Sequence, residues 1–252
     1  MHNNAISVKN LTKEYEINVL DYKSFKRDLI NFFKLNKYLN FNINTNKILA
    51  LDNINFDIEK GDIVALIGKN GAGKSTFLKI LSDITEPTSG EISYSGKLIA
   101  MLTLNAGLVG DCTAKENIYF LASMYGYSKQ QIDEKFQEII EFAEIEKFID
   151  TPLKKFSSGM TTRLVFSTIS NIKPDILVAD EILANSDENF KYKCINKMKE
   201  INSEGTTILF VSHEEKLIKN LCKNGIYFKK GRTSSKKNIE ECLEEYKEKE
   251  IL

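Results

Sequence analysis

The sequence predicts an α/β fold organised around a parallel sheet, and three patterns carry that expectation. Short runs rich in isoleucine and valine occur at Asp62–Gly68 (DIVALIG), Asp175–Asp180 (DILVAD) and Thr206–His213 (TTILFVSH). Runs of this kind, apolar without alternation, belong to strands covered on both faces. Longer segments with apolar residues at helical spacing alternate with them, as a sheet wound with crossover helices requires. A glycine-rich turn follows the first run directly and leads into a helical pattern, giving a strand–turn–helix unit.

Taken in order, Ile6–Tyr15 (ISVKNLTKEY) and Asn53–Glu59 (NINFDIE) read as antiparallel edge strands ahead of the first buried strand. Between them Tyr22, Phe25, Leu29, Phe32 and Phe33 recur at helical spacing, interleaved with Lys23, Lys26, Arg27 and Lys34. This predicts an amphipathic helix in an N-terminal insertion of about residues 19–47, which fits a membrane face and an ordinary packed helix equally. From Thr113 to Ser170 the pattern is helical throughout, so a helical insertion over about 108–172 interrupts the α/β core. The lysine-rich end predicts a loop and a short terminal helix at about 237–250, and the whole chain, 1–252, reads as a single domain.

Bulk properties narrow the function classes. Lys+Arg and Asp+Glu both number 35, so the formal net charge is zero and there is no general attraction to nucleic acid or anionic lipid. Cys112, Cys194, Cys222 and Cys242 are scattered without a CxxC pair, as expected of reduced thiols in the cytoplasm. No window reaches the roughly 18 consecutive apolar residues of a membrane span, and the first residues lack the apolar core of a signal peptide. Any work at a membrane would need a separate spanning partner.

The chemistry is concentrated in four places. Gly68–Thr76 (GKNGAGKST) matches G-x-x-x-x-G-K-[ST] and follows an apolar strand, the context in which that loop holds phosphates. The backbone N–H groups of Gly68, Lys69, Asn70, Gly71, Ala72 and Gly73 would cradle a β-phosphate. Lys74 would reach the β- and γ-phosphates, Ser75 would ligate Mg²⁺, and Thr76 continues the helix start. A random chain of this length shows the pattern roughly once in a hundred tries. Asp180 ends a buried run, where α/β sheets bind ligands, and is the candidate second Mg²⁺ ligand. Glu181 follows, pointing another way, as candidate general base for an attacking water. Alone, two acids at a strand end are as readily a solvated turn. His213 ends the third run where the γ-phosphate would lie and is expected to contact that phosphate, although a lone histidine is more often structural. Lastly, Ser157-Ser158-Gly159-Met160 precedes a helical run; such a turn either holds an anion or merely caps its helix.

The order of these pieces, a phosphate loop, a helical insert ending in FSSGM, then ILVADE, a turn with Asp187, and VSH, resembles the ATP-binding subunit of ABC transporters. The resemblance runs from about Ile6 to Gly231. It implies a P-loop NTPase fold: an ABC ATPase core, an antiparallel β subdomain and a helical signature subdomain. It also implies Mg²⁺-dependent ATP hydrolysis, with ATP and Mg²⁺ as cofactors. Ser157, Ser158, Gly159 and Met160 would bind the γ-phosphate held by a second copy's loop, making a head-to-tail homodimer. Asp187 would belong to the D-loop between the two sites. Tyr15 would stack on adenine, though it reads equally as a plain strand aromatic. An integral-membrane transporter subunit, with this chain peripheral at the cytoplasmic face of the inner or plasma membrane, follows from the same resemblance.

Finer features are similar to the subunits that export capsular polysaccharide, O-antigen or teichoic acid: FSSGM at the signature, MLTLNAGLVGDCTAKENIYF after the phosphate loop, and DEILANSDENFKYKC. Three details depart from that pattern. Leu98–Cys112 contains no glutamine, Thr103 and Asn105 replace Glu and Gly, and NSD stands for VGD. A transporter subunit for another cargo, or a regulatory subunit with weak turnover, therefore stays open. A single phosphate loop and no sustained heptad argue against a ribosome- or DNA-acting relative. An appended carbohydrate-binding domain of about 100 residues is not expected after Leu252.

Overall fold

The computed structural model describes residues 4–18, 45–102, 107–181, 183 and 186–251. The aromatic and basic segment Val19–Leu39, together with Thr103, Asn105 and Asn185, lies outside the described residues.

The three apolar runs become β3 (Ile63–Ile67), β6 (Ile176–Asp180) and β7 (Thr207–Val211), joined in a parallel arrangement in which β3 pairs β7 and β7 pairs β6. β8 (Asn224–Lys229) and β5 (Leu98–Met101) extend this sheet in parallel on its two sides, giving the order β10-β8-β3-β7-β6-β5. The two-residue strands β9 (Arg232–Thr233) and β10 (Lys237–Asn238) both run antiparallel to β8.

Why the runs do not alternate polar with apolar is visible in the two cores. Ile63, Ala65, Ile67, Leu177, Ala179, Ile208 and Phe210 face one hydrophobic cluster. Their neighbours Val64, Leu66, Ile176, Val178, Leu209 and Val211 face the other. Successive side chains on a strand point to opposite faces, so a sheet covered on both sides needs an apolar residue at every position.

One face is covered by α1 (Lys74–Leu81) and by an antiparallel sheet of β1 (Asn4–Asn18), β2 (Thr45–Glu59) and β4 (Ser89–Tyr94), in the order β2-β1-β4. β1 is thus the centre of its sheet, not an edge. It was legible only in part because Asn10 adopts a left-handed φ of 49° and the pairing register shifts on either side of Leu11. β2 also takes in Thr45–Lys47, which the sequence assigns to the insertion.

The opposite face carries α2 (Ala114–Met124), α3 (Lys129–Ala143), α4 (Ser158–Asn171), α5 (Glu188–Ser203), α6 (Glu215–Leu221) and the terminal α7 (Ile239–Ile251). Reciprocal capping boxes start α2, with Thr113 and Glu116, and α3, with Ser128 and Gln131. The buried Asn117 side chain donates to the carbonyls of Val109, Cys112 and Thr113 and accepts from the Val109 N–H, fixing the turn that leads into α2.

Candidate functional site

At the carboxyl end of β3 the chain turns so tightly that side chains are excluded. A Cβ at Gly68 would collide with the Phe228 carbonyl oxygen. Gly73, with φ 113°, caps α1 in a left-handed conformation, and a Cβ there would sit 2.8 Å from the Ala50 carbonyl oxygen. Because Gly73 offers no side-chain cap, the N-terminal amides of α1 are left to an anion.

Lys74 opens that helix and folds back over the loop, its Nζ donating to the carbonyl oxygens of Gly68 at 2.5 Å and Lys69 at 3.1 Å. The turn between β8 and β9 locks the loop from outside: the Gly231 N–H donates to the Ala72 carbonyl at 2.9 Å and the Asp52 N–H to that of Gly231 at 2.8 Å. A cleft of about 500 Å³ opens above the loop, walled by Asn70, Gly71, Gly73, Lys74, Ser75 and Thr76 on one side. Ile48, Leu49 and Ala50 of β2, then Lys230 and Gly231, and finally Asp180 and Glu181 close its rim.

Two acids arrive there by opposite backbone routes. Asp180 is the last residue of β6 and is half-buried. Glu181 then adopts φ 50°, a left-handed conformation that costs an L-residue about 1 kcal/mol, while its N–H still donates to the Val211 carbonyl at 3.0 Å. The Glu181 Oε1 lies 2.8 Å from His213 Nε2.

The electrostatics are strained in a consistent way. Burial first, and the Glu181 charge second, hold the Asp180 carboxyl above the usual carboxylate range, with Lys74 and His213 pulling it back. Burial likewise lowers the Lys74 ammonium, offset by Glu181 and Asp180. Both groups would gain from a ligand that brings oxygens to Lys74 and a hard cation to Asp180. Among the described residues no cluster of three or more His, Cys, Asp or Glu could cage a metal. One carboxylate and one hydroxyl beside a phosphate cradle is, however, the donor set Mg²⁺ takes when the remaining oxygens come from phosphate and water.

The structure therefore brings together Lys74, Ser75, Asp180, Glu181 and His213. It does not bring Ser157, Ser158, Gly159 or Met160 to the cleft. Those residues start α4, where the Ser157 hydroxyl accepts from the Met160 N–H at 3.2 Å and both serines face solvent. Asp187 is also outside the cleft: it caps α5, accepting from the Phe190 N–H at 2.9 Å and from Arg163 Nη2 at 2.7 Å. Tyr15 pairs with Ile48 across β1 and β2, so the two share a sheet face; Ile48 lines the cleft and the Tyr15 ring, 37% exposed, lies next to it under Lys13 Nζ. Sequence reasoning missed Lys230 and Gly231, whose only local signal is a lysine-glycine turn.

Residues 51–184 match the family model described as ABC transporter. The chain is 38% identical, over 97% of its length and 98% of the relative, to the O-antigen export system ATP-binding protein RfbB of Klebsiella pneumoniae. It is 37% identical, over 96% of its length and 88% of the relative, to the teichoic acids export ATP-binding protein TagH of Staphylococcus epidermidis. Among solved structures, an ATP-binding subunit of an ABC transporter superposes with a TM-score of 0.75 at 20% identity, covering 96% of this chain and 93% of the other. The ATP-binding cassette MJ0796, in a dimeric post-hydrolysis state bound to ADP and Pi, superposes with a TM-score of 0.73 at 23% identity, covering 93% and 98%. With the family model spanning more than half of its length and such relatives aligned over nearly all of it, the chain belongs to the ABC transporter family as an ATP-binding subunit.

Proposed function

We propose that this ABC ATPase powers export of a polymeric or lipid-linked glycan of the O-antigen, capsule or teichoic acid type through a separate integral-membrane subunit. The cargo reading is supported by relatives named for O-antigen and teichoic acid export that align with nearly the whole chain. Among the described residues no helix is long and apolar enough to cross a membrane, which is consistent with peripheral attachment at the cytoplasmic face.

One observation carries the mechanism: the cleft holds Lys74, Asp180 and Glu181, while Ser157–Met160 sit at an exposed helix start away from it. A helix N-terminus capped by a serine and free of acids in its first turn is suited to an anion supplied from elsewhere. In this reading the anion is the γ-phosphate held by a second copy, so two chains associate head to tail with two nucleotides between them. Bound ATP would supply the γ-phosphoryl group, and Mg²⁺ would supply positive charge to offset that developing in its transfer. Ser75 and Asp180 would hold the cation, Lys74 would hold the phosphate tail, and Tyr15 would pack against the base. Glu181 takes the proton of the attacking water, and His213 orients that carboxylate through its 2.8 Å contact.

Steady-state hydrolysis with the membrane partner present, comparing wild type with Glu181→Gln, tests the catalytic assignment; equal rates would favour a nucleotide-binding regulatory subunit. Head-to-tail association is tested with Ser158→Cys and Asn70→Cys in a Cys112→Ser background. Disulfide crosslinking between copies should require both cysteines and ATP in a Glu181→Gln chain. Absence of the crosslink under those conditions would overturn the arrangement. A pulldown of the integral-membrane partner with its bound lipid tests the cargo.

A further inference from the structure

Away from the cleft, α5 carries a lysine whose side chain is largely covered. Lys191 is 8% exposed, and its Nζ donates to Glu214 Oε1 at 2.5 Å. Lysine is seldom buried to that degree without a partner that justifies its desolvation. Glu214 supplies it, holding the ammonium above its ordinary value. Glu214 also follows His213 directly and starts α6, its N–H donating to the Ser212 hydroxyl at 3.1 Å. The turn that presents His213 to Glu181 is thereby closed on itself by Ser212 and tied to α5 by Lys191.

The same helix is held at its start. Asp187, one turn before Lys191, caps α5 and binds Arg163 of α4, and the Lys191 N–H donates to the Asp187 carbonyl at 3.0 Å. Arg163 also pairs with Glu144 and lies 4.9 Å from the Phe190 ring centroid. Two charged contacts, Arg163–Asp187 and Lys191–Glu214, joined by the backbone of the first turn of α5, therefore link the helix that begins at Ser158 to the turn that carries His213.

We propose that Lys191 is a positioning residue: it fixes the Ser212–Glu214 turn so that His213 meets Glu181, and through Asp187 and Arg163 registers that turn to the signature helix α4. The idea rests on the ATPase reading for its consequence but not for its geometry. Lys191→Met is the test variant, because methionine fills the buried helical position without a charge and leaves the half-exposed Glu214 carboxylate to water.

With only His2 and His213 in the chain, the His213 ring resonance of ¹³C-histidine protein is readily assigned by its loss in His213→Gln. In nucleotide-free protein, Lys191→Met should move that resonance, and Lys191→Arg should restore it. Arg163→Met should move it in the same direction by a smaller amount. In hydrolysis, Lys191→Met should lower kcat about tenfold with KM for ATP changed less than about twofold, as a misplaced catalytic contact does. Lys191→Arg should recover most of that loss. A His213 resonance unmoved in Lys191→Met overturns the positioning claim, as does a kcat loss that arginine does not rescue. A resonance unmoved in Arg163→Met overturns the link to α4. If the wild type fails to hydrolyse ATP, the ATPase reading fails, while the ring resonance still decides the positioning.

Discussion

The phosphate loop and the signature turn are both helix N-termini that can hold an anion, yet they are built in opposite ways. At the loop, Gly73 cannot cap its helix with a side chain, the backbone is wedged between Ala50 and Phe228, and Lys74 bonds back to the loop's own carbonyls. At the signature, Ser157 caps α4 with its own hydroxyl and the turn faces solvent. The first region is preorganised by the fold around it, so it carries its binding geometry alone. The second is a stable helix end whose two serines are exposed, and its use depends on what approaches. Substitutions should therefore act through chemistry or backbone strain in the first region and through charge in the second.

The largest expected effect is at the cleft. Glu181→Gln should reduce kcat by roughly 10²–10³-fold, in the range general-base catalysis supplies, with ATP affinity kept within about twofold. Steady-state turnover beside fluorescent-nucleotide binding checks both halves. Gly73→Ala comes next: left-handed strain and a Cβ 2.8 Å from the Ala50 carbonyl oxygen should together cost about 2–3 kcal/mol in urea unfolding. The same change at Gly159, which lies in α4 and where a Cβ would meet nothing closer than the Ser157 hydroxyl at 3.9 Å, should leave stability unchanged or raise it by up to about 1 kcal/mol. If both glycines tolerate alanine equally, the contrast between a wedged loop and an open turn is lost.

This difference in construction also explains what could be read from the sequence. Gly68, Gly71, Gly73, Lys74 and Ser75 are legible because a chain wrapping a phosphate needs those residue types at fixed spacing. Asp180 and Glu181 are legible because a fully apolar strand must end where the ligand edge of the sheet begins. Ser157 and Ser158 carry no such constraint, since a capping serine occurs at many helices; only their order among the other motifs singles them out. The Lys191–Glu214 contact is set by how α5 lies against the turn after β7, and no spacing rule reports it. β4 escaped notice because it lies at a sheet edge with nearly every residue exposed, so it shows no apolar run.

A charge change separates capping from anion binding at the second region. Ser157→Ala should lower stability by about 1 kcal/mol through the lost cap. Ser157→Asp keeps the cap and favours the helix dipole, so thermal stability should hold or rise slightly. It would nevertheless place a carboxylate where a partner's γ-phosphate is expected, and ATP-dependent dimerisation should weaken about tenfold or more. Light scattering with a Glu181→Gln chain measures this. Equal dimerisation by Ser157→Asp and wild type would leave Ser157 as a cap alone.

The smallest effect is a matter of sign, and it sets two acids against each other. Asp180 is held above the usual carboxylate range by burial and by Glu181, so its ionised form is the costly one in the free protein. Its contribution to stability is present in acid, below the unfolded value, and is lost as pH rises through the raised folded value. Asp187 is the reverse. The Phe190 N–H and then Arg163 hold it below the usual range, so its contribution is present above the unfolded value and lost as pH falls through the depressed one. At neutral pH Asp180→Asn should raise the melting temperature of the nucleotide-free chain by about 1–2 °C, and Asp187→Asn should lower it. Adding MgATP should invert the first comparison, because the wild type gains stability from a ligand that binds only the folded state while Asp180→Asn has lost a cation ligand. Should Asp180→Asn melt below wild type without nucleotide, the acid at the cleft is structural, and the strain assigned to that site belongs elsewhere.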